Sequence, residues 1–318
     1  MDFLANYFGS LNPMSFLSAL PGNIAQGIIW GLMGLGVFLT FKLLNFADLS
    51  VDGSFATGGA VTAVMLINGC PVWATIIVAI LAGLAAGLVT GLLHTLLGIP
   101  DILAGILTQI ALYSINLNIM GKSNLPISYR NYTLVVSASN INMAILGICA
   151  VVIAAMYWYF GTEQGSTIRS TGSNPAMSKA QGININFTKV IALALSNGLV
   201  ALSGSLFAQY QGFADINMGR GAIVIGLAAV IIGEVLGEAI FRKHMNFIIR
   251  MLFVIVGGIL YYIAMGIVLW LKMPTDDTKL FTAIIVAIFL AVPYLQKKRK
   301  TSFKKVAKMN AKNAQKEG

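Results

Sequence analysis

Long apolar runs with few charged side chains set the strongest constraint on how this chain can fold. A helical run of about 20 apolar residues matches the hydrocarbon thickness of a lipid bilayer. The runs lie at 22–43, 53–69, 72–96, 101–120, 142–160, 188–209, 221–240, 247–271 and 280–295. They predict an all-α polytopic membrane protein with about nine transmembrane helices.

The amino-acid composition excludes the main alternative classes of protein. Charged residues make up 10% of the 318 residues and apolar residues 57%. A soluble domain has about 25% charged residues, so this chain lacks the charge to cover a water-exposed surface. Two cysteines, Cys70 and Cys149, are too few for a disulfide framework. A soluble enzyme, a disordered chain and a disulfide scaffold are therefore excluded.

The distribution of lysine and arginine predicts the orientation. Nine of the 21 basic residues follow residue 296. With this tail in the cytoplasm, sixteen basic residues fall inside and five outside, as the positive-inside rule requires. The C-terminus is then cytoplasmic, the N-terminus is external, and the polar connection at 161–187 is cytoplasmic. We interpret the tail as a flank that contacts anionic lipid rather than nucleic acid.

The sequence divides into three segments. Residues 1–21 are rich in aromatic side chains and contain Pro13, which indicates an interfacial segment rather than a span. Residues 22–296 hold the transmembrane domain, and residues 297–318 form the basic tail.

Glycines spaced four residues apart predict close helix packing. Gly83, Gly87 and Gly91 share one helix face, and so do Gly27 and Gly31. Such faces allow two helix backbones to approach closely in lipid. We therefore expect a tight helix bundle.

Motifs for nucleotide hydrolysis and metal catalysis do not occur in the sequence. It has no G-x-x-x-x-G-K-[ST] loop, no H-E-x-x-H motif and no paired C-x-x-C. His94 lies near a predicted helix end, and His244 lies in a charged turn. We predict no catalytic residue, metal site or cofactor in this chain.

The cytoplasmic connection contains the pattern of a short helix. Ser173 or Asn174 can cap its N-terminus, Pro175 suits its first turn, and Gly182 can end it. A helix of about two turns is unstable alone in water, so it must dock against the bundle or a partner. A plain connecting helix fits this pattern equally well.

A polar interruption at residues 44–61 separates the first two apolar runs. One interpretation is a tight cytoplasmic turn in which Asp48 or Asp52 caps the next helix. The other is a broken helix beside a translocation path, because irregular backbone at membrane depth must be buried in protein or line a wet cavity. The sequence leaves both interpretations open.

Two acidic residues lie within the apolar run at 221–240. Glu234 and Glu238 are four residues apart and share a helix face. Glu238 precedes Arg242 by four residues, which predicts an interfacial ion pair. Glu234 is the better candidate for the translocation path, because acidic side chains within spans usually face the bundle interior or water.

Three segments of the sequence resemble the permease subunits of ATP-binding-cassette importers for ribose-type sugars and branched-chain amino acids. They are NFADLSVDGSFATGGAV (45–61), GLVTGLLHTLLGIPDILAGILTQIALYSINLNIMG (87–121) and TGSNPAMSKAQGIN (171–184). The resemblance extends over residues 20–295. Two departures, the extra Asp52 and the replacement of a glycine-rich turn by IGEVLGEAIFRKH, indicate a distinct subfamily.

This resemblance implies which partner subunits the protein has and which of its segments contact them. It implies a multi-pass permease in the plasma membrane of a prokaryote, paired with a second permease copy as a homodimer. Cytoplasmic ATPase subunits would bind ATP and Mg, and an extracytoplasmic binding protein would deliver the solute. The short helix at 173–182 would be the coupling helix. Its expected contact residues are Ser173, Asn174, Pro175, Ala176, Met177, Lys179, Ala180 and Gly182. The candidate translocation-path residues are Asn45, Asp48, Ser50, Asp52, Ser54 and Glu234.

The resemblance favours an amino acid as the transported solute, either aromatic or branched-chain. A sugar or nucleoside importer of the same family is an alternative. A second alternative is an ion-coupled secondary transporter in which Asp48, Asp52 and Glu234 bind protons or cations.

Overall fold

Helices form almost all of the described chain. The computed structural model describes residues 13–127, 141–241, 245–271 and 280–289, with residues 134, 277 and 291. The helices are α1 (Pro13–Val37), a π-helical turn (Phe38–Leu43), α2 (Val51–Ile67), α3 (Val72–Thr95), α4 (Asp101–Met120), α5 (Ile141–Gly161), α6 (Glu163–Ser173), α7 (Pro175–Ala180), α8 (Ile185–Gln211), α9 (Ala222–Phe241), α10 (Phe247–Trp270) and α11 (Leu280–Phe289). Strands β1 (Asn124–Pro126) and β2 (Phe213–Asp215) pair antiparallel.

Seven helices of the described chain are long and apolar enough to cross a membrane. They are α1 with its π-helical turn, α3, α4, α5, α8, α9 and α10. The helices α2 and α11 are apolar but shorter. The prediction of an all-α polytopic membrane protein is confirmed. The described residues contain seven helices of spanning length and two shorter apolar ones, so the count of about nine transmembrane helices stays a prediction.

The first helix begins earlier than the sequence suggested. It starts at Pro13 and continues through Pro21. Proline fits the first turn of a helix, where its missing N–H group has no helical acceptor. Residues 13–21 are the first turns of α1, and their interfacial position stays a prediction. The expectations for residues 1–12 and for the tail at 297–318 fall outside the described residues.

Helices α1 and α8 form the centre of the bundle. In each of them 83% of an apolar stretch of 18 residues is buried inside the bundle, against 39% or less of the equivalent stretch in the other spanning helices. Helix α8 packs against α1, α2 and α3, whereas α1 also packs against α9 and α10. Helices α3, α4 and α5 expose large apolar side chains, as expected for surfaces that face lipid.

A ladder of hydroxyl groups connects the two central helices. Three side chains of α8 donate hydrogen bonds to backbone carbonyl oxygens of α1 over 2.6–3.3 Å. The donor–acceptor pairs are Ser196–Gly36, Ser203–Ile29 and Tyr210–Gly22. Donors and acceptors both recur every seven residues, which keeps the contact on one face of each antiparallel helix.

The predicted glycine face on α3 packs against α8. A methyl group at Gly83 or Gly87 would collide with the backbone of α8 near Asn197 and Leu193. One at Gly91 would lie 2.9 Å from the Cα atom of Val190. The prediction of close helix packing at these glycines is confirmed.

Helix α8 defines two ends of the bundle. The short helix α7 immediately precedes it, and strand β2 immediately follows it. We call these the α7 end and the β1–β2 end.

Candidate functional site

The polar interruption after the first span lies inside the bundle. The carbonyl of Leu43 lies against Gly172 of α6, near the α7 end. The chain then turns back, so that the ring of Phe46 packs on His94 with centroids 5.0 Å apart. The backbone of Leu49 lies beside Gly105 of α4. Residues 44–50 therefore return into the protein as a non-helical segment.

Four buried polar residues meet where this segment joins α2. We call Asp48, Ser50, Ser54 and Asn197 the Asp48 hub; each side chain is at most 2% exposed. Asn197 Nδ2 donates to Asp48 Oδ2 over 2.7 Å, and the Ser50 N–H donates to Asp48 Oδ1 over 2.9 Å. The hydroxyl of Ser54 donates to Asn197 Oδ1. The hub thus satisfies both carboxylate oxygens and joins α2 to α8.

The position of Asn197 gives the depth of the Asp48 hub. Asn197 lies about 18 Å along α8 from Ile185, at about 1.5 Å per residue. The hub therefore lies near the middle of a 27-residue helix. A buried carboxylate at this depth requires hydrogen-bond donors, and the hub supplies them.

Asp52 caps a helix other than its own. The backbone N–H groups of Gly221 and Ile223 each donate to one of its carboxylate oxygens over 2.9 Å. Gly221 immediately precedes α9 and Ile223 lies in its first turn, whereas Asp52 lies in the first turn of α2. One carboxylate therefore faces the positive ends of two helix dipoles.

The segment before α9 also enters the bundle. Met218 lies against Gly59, and Gly219 lies against the backbone of Asp52. Helix α9 consequently begins inside the protein rather than at the β1–β2 end. Interrupted helices with N-termini inside the membrane are typical of transporter binding sites.

A cavity of about 280 Å³ lies beside Asp52, in the half of the bundle nearer the β1–β2 end. It lies between the start of α2, the middle of α4 and the segment after β2. Its lining residues are Asp52, Gly53, Ala56, Gln109, Ile110, Tyr113, Asn116, Ile216, Asn217 and Arg220. The lining combines apolar side chains with a few polar groups, as ligand pockets usually do.

One face of α4 supplies polar side chains to this cavity. Gln109, Tyr113 and Asn116 are spaced four and three residues apart and so share that face. Asn116 is 1% exposed, and neither atom of its amide has a hydrogen-bond partner within the described chain. These residues are absent from the candidates predicted from the sequence. Their helical spacing within an apolar run indicates one polar face on the helix.

Glu234 lies far from the cavity. Its carboxylate is 2.8 Å from Lys42 Nζ and 3.7 Å from Arg250 Nη1. This ion-pair cluster joins the π-helical turn, α9 and α10 near the α7 end. The ion pair expected between Glu238 and Arg242 cannot be placed, because Arg242 falls outside the described residues.

The candidate translocation-path residues therefore occupy four places. Asp52 lines the cavity, and Asn45 is exposed at the turn where the chain re-enters the bundle. Asp48, Ser50 and Ser54 form the hub beside Asn197, and none of these three lines the cavity. Glu234 belongs to the ion-pair cluster. Their assignment to a translocation path stays a prediction.

The short helix predicted at 173–182 is present as α7. Asn174, rather than Ser173, caps it by accepting a hydrogen bond from the Met177 N–H over 3.1 Å. Pro175 begins the helix, and Gly182 follows its end with a φ of +82°. The side chains expected to contact a partner are all exposed, namely those of Ser173, Asn174, Pro175, Ala176, Met177, Lys179 and Ala180, as is Gly182. Their role in coupling stays a prediction.

Comparison with known families identifies the class of protein. The family model described as "Branched-chain amino acid transport system / permease component" matches residues 22–293. The chain belongs to this permease family. It is a multi-pass transport subunit and not an enzyme.

Two curated relatives and one solved structure extend this result. The tyrosine transport system permease protein of Clostridioides difficile (strain R20291) is 42% identical over 300 residues, which cover 93% of this chain and 99% of the relative. The D-allose transport system permease protein AlsC of Escherichia coli (strain K12) is 27% identical, with coverage of 80% and 77%. PsaBC from Streptococcus pneumoniae, solved in complex with Fab, shares the fold with a TM-score of 0.53 and 15% identity, covering 91% of this chain and 94% of that chain.

Proposed function

We propose that this chain is the permease of an ATP-binding-cassette importer that carries an amino acid across the cytoplasmic membrane of a prokaryote. The observation that carries this proposal, together with membership of the permease family, is the exposed helix α7. A six-residue helix with an exposed methionine, Met177, at 59% exposure has a surface suited to contact with another subunit.

The α7 end faces the cytoplasm in this proposal. Five of the basic residues that the structure describes lie at this end: Lys42, Arg169, Lys179, Lys189 and Arg250. Two others, Lys122 and Arg220, lie toward the β1–β2 end. This asymmetry follows the positive-inside rule. Together with the seven spanning helices, the shorter helices α2 and α11 give nine membrane-embedded helices in this proposal.

The chain requires partner subunits to perform transport. Two cytoplasmic ATPases supply the sites for ATP and Mg and bind α7. A second copy of this permease completes the translocation path. A solute-binding protein docks at the β1–β2 end and delivers its cargo there.

Close contacts inside the bundle supply a route for coupling. Helix α6 leads directly into α7, and its Gly172 lies against the carbonyl of Leu43. Leu43 ends the π-helical turn and precedes the segment that leads to the Asp48 hub. Movement of α7 by the ATPases therefore reaches the middle of the bundle through adjoining elements. Nucleotide binding can bias the two states of the transporter if they differ by only a few kcal/mol, about the free energy that a differential contact can supply.

An amino acid is the solute that the relatives support best. The relative named for tyrosine transport is more similar to this chain than the relative named for D-allose, and it matches over nearly its full length. Differences in pocket lining can change the transported solute within one fold, so solute identity must be measured.

A solute panel tests this proposal. The permease is purified with its ATPase, reconstituted into liposomes and supplied with the binding protein and ATP. We expect uptake of labelled L-tyrosine or L-leucine and no uptake of D-allose or uridine. Uptake of the sugar or the nucleoside alone would contradict the assignment to amino acids and place the chain in another branch of the family.

A further inference from the structure

The cavity beside Asp52 holds an unexplained buried amide. Asn116 is almost completely buried, yet both polar atoms of its side chain lack a hydrogen-bond partner in the described chain. A primary amide can donate two hydrogen bonds and accept two. Burying these groups unpaired is unfavourable, and the cavity that Asn116 lines has room for a molecule that would pair with them. Such a group requires a partner that is absent from the protein alone.

We propose that Asn116, Asp52 and Arg220 form a subsite that binds the amino and carboxylate groups of a transported amino acid. All three line the same cavity. This inference rests on the proposed function and specifies where and how the permease recognises its solute.

The charges of the subsite suit a zwitterion. Among the described residues that line the cavity, Asp52 is the anion and Arg220 is the cation. The guanidinium of Arg220 can bind a carboxylate with two parallel hydrogen bonds. Asp52 accepts the backbone N–H groups of Gly221 and Ile223 at the start of α9, one on each oxygen, and a carboxylate has about four acceptor sites, which leaves room for an ammonium group. The Asn116 amide can hydrogen-bond to either end of the solute.

The remaining lining suits a small solute with an apolar side chain. Ala56, Ile110 and Ile216 supply apolar surface, and Tyr113 supplies an aromatic ring. The cavity volume of about 280 Å³ lies just below the range for ligand pockets, which starts at about 300 Å³, so the cavity suits only a small solute. A neutral sugar carries neither an ammonium group for Asp52 nor a carboxylate for Arg220.

The amide can be replaced by an apolar group that has the same number of side-chain heavy atoms. Asn116→Leu eliminates the unpaired buried polar group, so the melting temperature should be equal to or higher than that of the wild type. If the amide recognises solute, kcat/KM for ATP-driven uptake of L-tyrosine should nevertheless fall at least tenfold. A gain or retention of stability with a loss of transport distinguishes a binding role from a structural one.

Asn118→Leu is the matched control. Asn118 lies two residues further along α4, is exposed, and donates its side-chain N–H to Ser114 O over 3.0 Å. This variant should transport like the wild type. A clear fall in the melting temperature of Asn116→Leu, or an unchanged kcat/KM, would overturn the proposed subsite.

A labelling experiment tests the position of the subsite independently of transport rates. Cys70 and Cys149 are replaced by serine, and Asn116→Cys is treated with a membrane-impermeant maleimide in the permease–ATPase complex. We expect labelling that L-tyrosine slows several-fold and D-allose does not. Absence of labelling, as would occur if the second permease copy covers this face, or labelling that L-tyrosine does not slow, would overturn the proposal.

If the wild type imports no amino acid, the proposed function fails. If it imports L-tyrosine and Asn116→Leu matches it, only this inference fails.

Discussion

At the residue scale, Asp52 has a structural role that spacing along the chain could not indicate. It binds the backbone of Gly221, which lies 169 residues away in the sequence. From the sequence, one interpretation of Asp52 is a cap for its own helix, because capping is local in most proteins. The structure uses it to hold the N-terminus of α9 inside the bundle.

Asp52→Ala should lower the melting temperature of the purified protein. The change removes a charge-assisted cap and leaves the two N–H donors without an acceptor, which should cost about 1–2 kcal/mol. Asp52→Asn keeps one acceptor and should cost less. The control is Asp101→Ala, since among the described residues Asp101 accepts a hydrogen bond only from its own neighbour Ile102 at the start of α4. Equal losses for Asp52→Ala and Asp101→Ala would contradict this role.

Asn45 occupies a backbone conformation that most side chains avoid. Its φ of +56° lies in the left-handed region, which asparagine and glycine tolerate. Asn45→Gly should therefore leave the melting temperature unchanged or raise it. Asn45→Val should lower stability by about 1–3 kcal/mol, because a β-branched residue is strained there. Equal thermal stability of the two variants, measured by scanning fluorimetry, would disprove the strain.

Glu234→Gln should slow transport more than Glu238→Gln. The first change removes the ion pair with Lys42 and leaves that cation near Arg250 without its carboxylate. Because the cluster joins three elements near α7, its loss should disturb coupling and lower the uptake rate several-fold. Glu238 is exposed and serves as the matched control. Equal and negligible effects on uptake would show that neither carboxylate contributes to transport.

At the element scale, the apolar runs predicted several helices closely. Helix α4 spans the predicted run 101–120, and α10 ends one residue before the run 247–271 does. These runs are bounded by polar or charged residues, so the sequence marks their ends. The inward return of residues 44–50 was one of two interpretations that the sequence left open, because the depth of this segment depends on Asn197 and Gly105 from distant helices.

Replacing residues 176–181 with a Gly-Ser linker should abolish co-purification with the ATPase. The linker removes the helix and the exposed side chains of α7, while Asn174 and Gly182 remain as its boundaries. A Gly-Ser replacement of residues 121–123, at the β1–β2 end, is the control and should leave the complex intact. Retention of the ATPase by the α7 variant, together with normal uptake, would show that another surface binds it.

At the scale of the whole molecule, the bundle has a rigid centre and interrupted surroundings. Helices α1 and α8 are held together along their length by the hydroxyl ladder. Around them, α2 and α9 both begin inside the protein, beside the cavity. An arrangement of this kind allows the interrupted elements to move while the central pair keeps its register.

The sequence predicted the class of this molecule better than it predicted the cavity beside Asp52. Apolar runs and the α7 pattern were sufficient for fold class and for the short helix. The cavity depends on Asn116 and Arg220, which belong to separate elements and meet only through the inward path of residues 216–221. The spacing of the polar residues on α4 can be read from the sequence alone. The sequence does not show that the segment 216–221 lies opposite them.

The energy source for uptake tests the account most directly. Uptake of labelled L-tyrosine is measured in proteoliposomes that contain the permease, the ATPase and the binding protein, with ATP supplied on the ATPase side. We expect uptake to require ATP, to stop with an ATPase variant that cannot hydrolyse ATP, and to continue when ionophores collapse the ion gradients. Uptake without the ATPase that stops when the gradients collapse would contradict the account and indicate an ion-coupled transporter.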